Sequence, residues 1–207
     1  MKTSAPIAAT DGVQLTLRER TRLAMRAEVS EVAFRLFAER GFDGTTVDQI
    51  AAEAGLSRTT FFRYFGTKEE IVLGRLVEIG HQIAAELVVR PQKERPWEAL
   101  RRAFDVVTQA IDGDPERSLV MMRLLIDACA LMTRDWEKTQ GWQSLLAPEI
   151  ARRLGADAPN AELQANALVA SAISCFDSAT GSWAASEGKA SLSALLDTAM
   201  ATLSALK

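Results

Sequence analysis

The chain has one histidine, His81, and two cysteines, Cys129 and Cys175, in 207 residues. A single imidazole removes the commonest general base and metal ligand from almost every position. The cysteines stand far apart, with no CxxC pair and no His/Cys cluster, so neither a zinc site nor a disulfide framework is suggested. Both read as small buried hydrophobes. Long apolar runs are lacking too: Leu119 to Met132 is interrupted by Arg123 and Asp127 and falls short of the roughly 18–20 residues a bilayer needs. The opening residues, MKTSAPIAATDGVQL, hold one lysine and no apolar core, unlike a secretory signal. A cytoplasmic chain with no membrane partner is the expectation. No run of alternating β-branched residues bounded by turns makes a convincing strand, so the expected fold is all-α. There is no standout Ser/His/Asp ordering, no Glu-x-x-His pair and no phosphate loop, so no enzyme, cofactor or metal is expected.

What is present is helical signal and an uneven charge. Residues 1–68 carry ten Lys/Arg against eight Asp/Glu, leaving fourteen against nineteen for residues 69–207. The overall charge of −3 argues against nonspecific coating of nucleic acid but allows a small, focused DNA-binding head. Residues 1–16 read as a flexible arm. A helix from about Leu17 places Val29, Val32, Ala33, Leu36 and Phe37 at helical spacing and meets Gly41 where a C-terminal cap belongs. Thr46-Val47-Asp48-Gln49 is a capping box opening a short helix, Val47 to Ala54. Gly55-Leu56 makes a turn, and Ser57 can cap a second short helix ending near Phe65. Thr67-Lys68-Glu69-Glu70 is a further capping box, starting a long helix at Lys68 that runs to about Val89. Helical stretches follow over Trp97 to Ile111, Pro115 to Met132, Asp135 to Leu154 with Pro148 inside, Glu162 to Ala185 and Ser191 to Leu206. The total is about nine helices.

Two short helices joined by a tight glycine turn form a helix-turn-helix over roughly residues 46–65, whose second helix is the kind that enters the major groove. At about 100° per residue, Phe61 and Phe65 share the side that packs on Ile50, Phe34 and Phe37. Thr59 and Arg63 then point the other way, flanked by Arg58 with Phe62 and by Thr60 with Tyr64. Such a face suits base edges and phosphates, although Arg and Thr on an exposed helix are usually just solvated. Two oddities favour DNA: Phe62 is an exposed aromatic without a packing reason, and Lys68 sits in a first helical turn, where the macrodipole disfavours a cation unless an anion is near.

The segment FAERGFDGTTVDQIAAEAGLSRTTFFRYFGTKEEIV, residues 37–72, resembles the N-terminal domain of tetracycline-repressor (TetR) type regulators over nearly every position. The resemblance implies a DNA-binding head over 17–66 and an effector-binding, dimerising part over 67–207. It implies that Thr46 and Lys68 hold phosphates and that Arg58, Thr59, Thr60, Phe62 and Tyr64 face the DNA, with Arg63 at the groove. Many members have tyrosine where this chain has Phe62, which removes one phosphate hydrogen bond. Arg18, Arg20, Arg22 and Arg26 form either a basic arm ahead of the first helix or a solvated helix start.

The resemblance also implies a homodimer on a palindromic double-stranded DNA operator and a small-molecule effector. Leu192, Leu195, Leu196, Ala199 and Leu203 make a stripe on the last helix that either meets a second chain or packs on its own domain. Phe104, Met121, Met122, Leu125, Cys129, Trp142, Phe176 and Trp183 are candidates for an effector pocket, or else plain core. No cluster of opposite charges marks a polar effector, so an apolar or aromatic one is expected, acting on a repressor. A large apolar cavity favours ligand control; a solid core favours an activator or architectural DNA binder without an effector.

Overall fold

The computed structural model describes residues 16–132, 135–155 and 158–205, and no side chains within 127–137. Residues 1–15 of the expected arm over 1–16, the side chain of Cys129, and Leu206 lie outside the described residues, while Thr16 caps α1. Ten helices and no strand occur among those described: α1 (Leu17–Arg40), α2 (Val47–Glu53), α3 (Arg58–Tyr64), α4 (Lys68–Val89), α5 (Pro96–Ala103), α6 (Asp105–Gly113), α7 (Pro115–Met132), α8 (Asp135–Leu154), α9 (Ala161–Ala185) and α10 (Leu192–Ser204). The expected stretch Trp97 to Ile111 is two helices, divided at Phe104, whose ring is fully buried and stacked on Phe176.

Local chemistry explains the first four helices. Thr46 accepts the Gln49 amide and donates its own to the Gln49 side chain at 2.9 Å, so both members of the capping box are satisfied. Ser57 caps α3 by accepting the Thr60 amide at 3.1 Å. Between them Gly55 takes φ +67°, a left-handed conformation that side chains resist, and the Leu56 amide returns to the Ala51 carbonyl at 2.8 Å. At α4 the expected box is only half formed. Thr67 accepts the Glu70 amide, but the Glu70 carboxylate takes the Gly66 N–H at 2.8 Å instead of that of Thr67.

Two apolar cores result. The first gathers Val29, Phe34 and Phe37 of α1, Ile50, Phe61, Phe65, and Ile71, Val72 and Leu76 of α4, together with Leu124 and Leu125 of α7. The second lies among α4, α5, α6, α8, α9 and α10, around Phe104, Trp142, Phe176 and Trp183. Helix α4 thus has one end in each. Trp142 ties the two ends: its indole N–H donates to the Leu76 carbonyl at 2.8 Å in a buried contact. Gly80 makes this approach possible, because a Cβ there would lie 2.6 Å from Trp142 Cδ1.

Of the five stripe residues on α10, Leu192 and Leu196 are fully buried in the chain's own core, beside Met200. They are therefore corrected from interface to interior. Leu195 and Ala199 are half-buried at its edge, and Leu203 is exposed. No helix among the described residues is long and apolar enough to cross a membrane.

Candidate nucleic-acid interface and ligand cavity

Helix α3 and its C-terminal cap carry Phe61 and Phe65 inward, 0% and 2% exposed, while Phe62 between them is 45% exposed. Arg58, Thr59, Phe62 and Arg63 are all exposed, and positions i, i+1, i+4 and i+5 fall on one helical face. Arg58 pairs with Asp48 at 3.0 Å, its guanidinium 5.6 Å from the Phe62 ring centre. Both partners are more than half exposed, so the pair is weak and opens at little cost. Arg63 lies over the Tyr64 ring at 5.4 Å. Thr60 and Tyr64 are half-buried: the Thr60 hydroxyl shares a 2.9 Å hydrogen bond with Ser57, and Tyr64 leans on the first core. Thr46 is exposed at the start of α2.

Two cations hold this head together from within. The Lys68 ammonium donates to the carbonyls of Phe42 at 2.7 Å and Thr45 at 3.1 Å and sits 4.4 Å over the Phe42 ring. Those carbonyls and that ring offset its unfavourable place at a helix start. Arg26 donates to the Tyr64 carbonyl at 2.7 Å, with its guanidinium 4.6 Å from the Phe65 ring centre; it closes the end of α3. Arg18, Arg20, Arg22 and Arg26 all lie inside α1, capped by Thr16, so none precedes the first helix. Sequence spacing gave no sign of the Arg26 contact, which spans 38 residues.

A cavity of about 730 Å³ opens among α1, α4, α6, α7, α8 and α9. Met121, Met122, Leu125, Trp142 and Phe176 line it as expected. Phe104 and Trp183 do not; both are fully buried in the second core, as plain packing residues. Phe34 and Leu76, which belong to the first core, form part of its wall. The wall also brings together Glu31, Arg75, Asp114, Arg117, Lys138 and Asp177, which corrects the expectation that no opposite charges cluster here. These come from five separate helices and the turn before α7, so no local pattern announces them. Lys138 pairs with Asp177 at 2.6 Å and Arg117 with Glu31 at 3.7 Å.

Residues 29–74 match the family described as bacterial regulatory proteins, tetR family, and residues 94–206 match the MftR C-terminal domain. The regulator TcmR of Streptomyces glaucescens is 34% identical over 147 residues, 68% of this chain and 65% of TcmR, just under two thirds of its length. A putative mycofactocin biosynthesis regulator, MftR of Mycobacterium tuberculosis, is 30% identical over 136 residues, 66% of this chain and 69% of MftR. Among solved structures, Thermus thermophilus FadR, a TetR-family repressor in complex with lauroyl-CoA, superposes with a TM-score of 0.56 at 24% identity, covering 86% of this chain and 92% of FadR. SmeT of Stenotrophomonas maltophilia, repressor of a multidrug efflux pump, gives 0.58 at 19% identity, covering 87% and 89%. At these identities the structures speak to the fold. The head matches one family segment and more than half of the chain matches a domain from the same regulators, so this chain belongs to the TetR family of DNA-binding transcriptional regulators.

Proposed function

We propose that the protein is a cytoplasmic homodimeric repressor that holds a palindromic operator through α3 and releases it when a small, largely apolar or aromatic molecule enters the cavity. Residues 17–66 act as the reading head and 67–207 as the effector and dimerisation part, with α4 rooted in both. Arg58 and Arg63 are its long cationic donors for base edges, with Thr59 and Phe62 between them. Thr46 and the remaining N–H of Lys68 meet phosphate, and Thr60 and Tyr64 border the contact.

The observation that carries the regulatory half is the Trp142 contact. One side of this indole faces the cavity while its N–H grips the backbone of α4 at Leu76. A ligand that moves the ring moves the helix that begins at Lys68. Two recognition helices must sit about 34–36 Å apart to enter successive major grooves, so a small tilt of α4 in each subunit spoils the fit. Pairing of two chains uses the outer faces of α9 and α10, where Leu195 and Ala199 are half-buried, Leu203 is exposed, and α9 exposes the small residues Ala167, Ser174 and Ser178. Two antiparallel helices from each chain make a four-helix bundle.

The test is selection of bound duplexes from a random pool, followed by titration of operator and scrambled DNA. A palindromic motif bound by a dimer is expected. Equal affinity for operator and scrambled duplex, or a monomer at micromolar concentration, overturns the proposal.

A further inference from the structure

Among the described residues the cavity wall carries three cations and three carboxylates, Arg75, Arg117 and Lys138 against Glu31, Asp114 and Asp177. Each cation already has an acidic partner: Arg75 holds Glu78 at 2.8 Å, Arg117 lies 3.7 Å from Glu31, and Lys138 lies 2.6 Å from Asp177. The Lys138 side chain is only 11% exposed, and its ammonium also sits 5.6 Å from the Trp142 ring centre. Among the described residues, an anionic group seated beside Trp142 would lose hydration and meet the already paired Lys138 ammonium while facing the Asp177 carboxylate, whereas Arg117 and Glu31, 76% and 73% exposed, form only a loose, solvated pair. Flat apolar surface, by contrast, is well supplied by Trp142, Phe176, Met121 and Met122, with polarisable sulfur beside the rings. The paired charges still offer donors and acceptors to a neutral hydroxyl or carbonyl.

We infer that the cavity selects uncharged aromatic molecules bearing neutral hydrogen-bonding substituents, and discriminates against carboxylates, sulfonates and acyl-CoA thioesters of the kind held by the FadR structure. This rests on the cavity being the effector site, as proposed above. Two dyes with one ring system decide it: N-phenyl-1-naphthylamine, which is uncharged, and 8-anilinonaphthalene-1-sulfonate, which adds a sulfonate. In fluorescence titrations of the full chain, the uncharged dye binds at least tenfold more tightly, and a hundredfold excess of lauroyl-CoA does not displace it.

Gly181 lines the cavity, and a Cβ there meets nothing within 4 Å, so there is open space for a side chain to start into, and Gly181→Phe weakens the uncharged dye at least tenfold. Asp177→Asn leaves the wall one net positive charge and narrows the gap between the dyes. Equal or tighter sulfonate binding that Gly181→Phe still blocks, or displacement by lauroyl-CoA, overturns the charge selection while leaving the cavity as a ligand site. Failure of both dyes to bind overturns it as well. Binding of both dyes untouched by Gly181→Phe places them elsewhere and overturns the cavity as the effector site.

Discussion

The seat of Trp142 on α4 makes two glycines respond to the same substitution with opposite sign. In an exposed or open helical position, Gly→Ala stabilises by about 0.8–1.0 kcal/mol through helix propensity. Gly141, inside α8, is such a position, since a Cβ there meets nothing within 4 Å. Gly80 is not: its Cβ would lie 2.6 Å from Trp142 Cδ1, 2.7 Å from Nε1 and 3.3 Å from a Leu145 methyl. The ring must retreat by most of an ångström, which costs about 1–3 kcal/mol in overpacking. It also stretches the buried bond to the Leu76 carbonyl, leaving a donor unsatisfied for a further roughly 1–3 kcal/mol. Less the propensity gain, Gly80→Ala should destabilise by about 1–5 kcal/mol, or about 2–4 °C of Tm per kcal/mol for a chain of this size, while Gly141→Ala raises Tm. Thermal unfolding by circular dichroism reads both variants. The Gly80 variant should also bind operator less tightly without ligand, because the displaced ring imitates an occupied cavity. A Gly80→Ala protein as stable as the Gly141→Ala control would refute the close packing, and with it the route from cavity to head.

Lys68→Ala should weaken binding to operator and scrambled DNA alike and lower the salt slope by about one per subunit. Because it also frees the turn at Phe42 and Thr45, it should cost about 1–3 kcal/mol of stability; a change of preference at one base position would count against it. Phe62→Tyr should strengthen binding by about 0.5–1.5 kcal/mol with unchanged sequence preference, read by titration at several salt concentrations. Leu203→Glu should give monomers by light scattering with little loss of Tm, whereas Leu196→Glu should unfold the chain, since only the first is exposed. Arg152, through its hydrogen bonds, holds the Glu149 carboxyl below its ordinary value of 4.5, with Arg153 adding to the effect. Stability from this group is present above the unfolded pKa and is lost as pH falls through the folded one. Glu149→Gln should therefore be less stable at neutral pH, and the difference should close in acid.

Features set within three or four residues were readable in the chain, and features set by distant neighbours were not. The caps at Thr46 and Ser57, the turn at Gly55 and the inward face of Phe61 and Phe65 follow from local bonds and helical period, and each stands where spacing puts it. An apolar stripe such as Leu192, Leu196 and Met200 shows that something covers it but not which chain does so; here α6 and α9 of the same chain supply the cover. Aromatic content likewise could not separate Trp142 and Phe176, which border space, from Phe104 and Trp183, which are filled around. The charges followed the same rule with larger consequence. Arg26 and Lys68 are both cations of the head, and each spends hydrogen bonds on backbone carbonyls, Arg26 on Tyr64 and Lys68 on Phe42 and Thr45. Those bonds fix the end of α3 and the approach to α2, which determines where the exposed Arg58, Phe62 and Arg63 can reach. A cation in this head can thus matter for DNA without touching it, and only stability measured beside affinity separates the two roles.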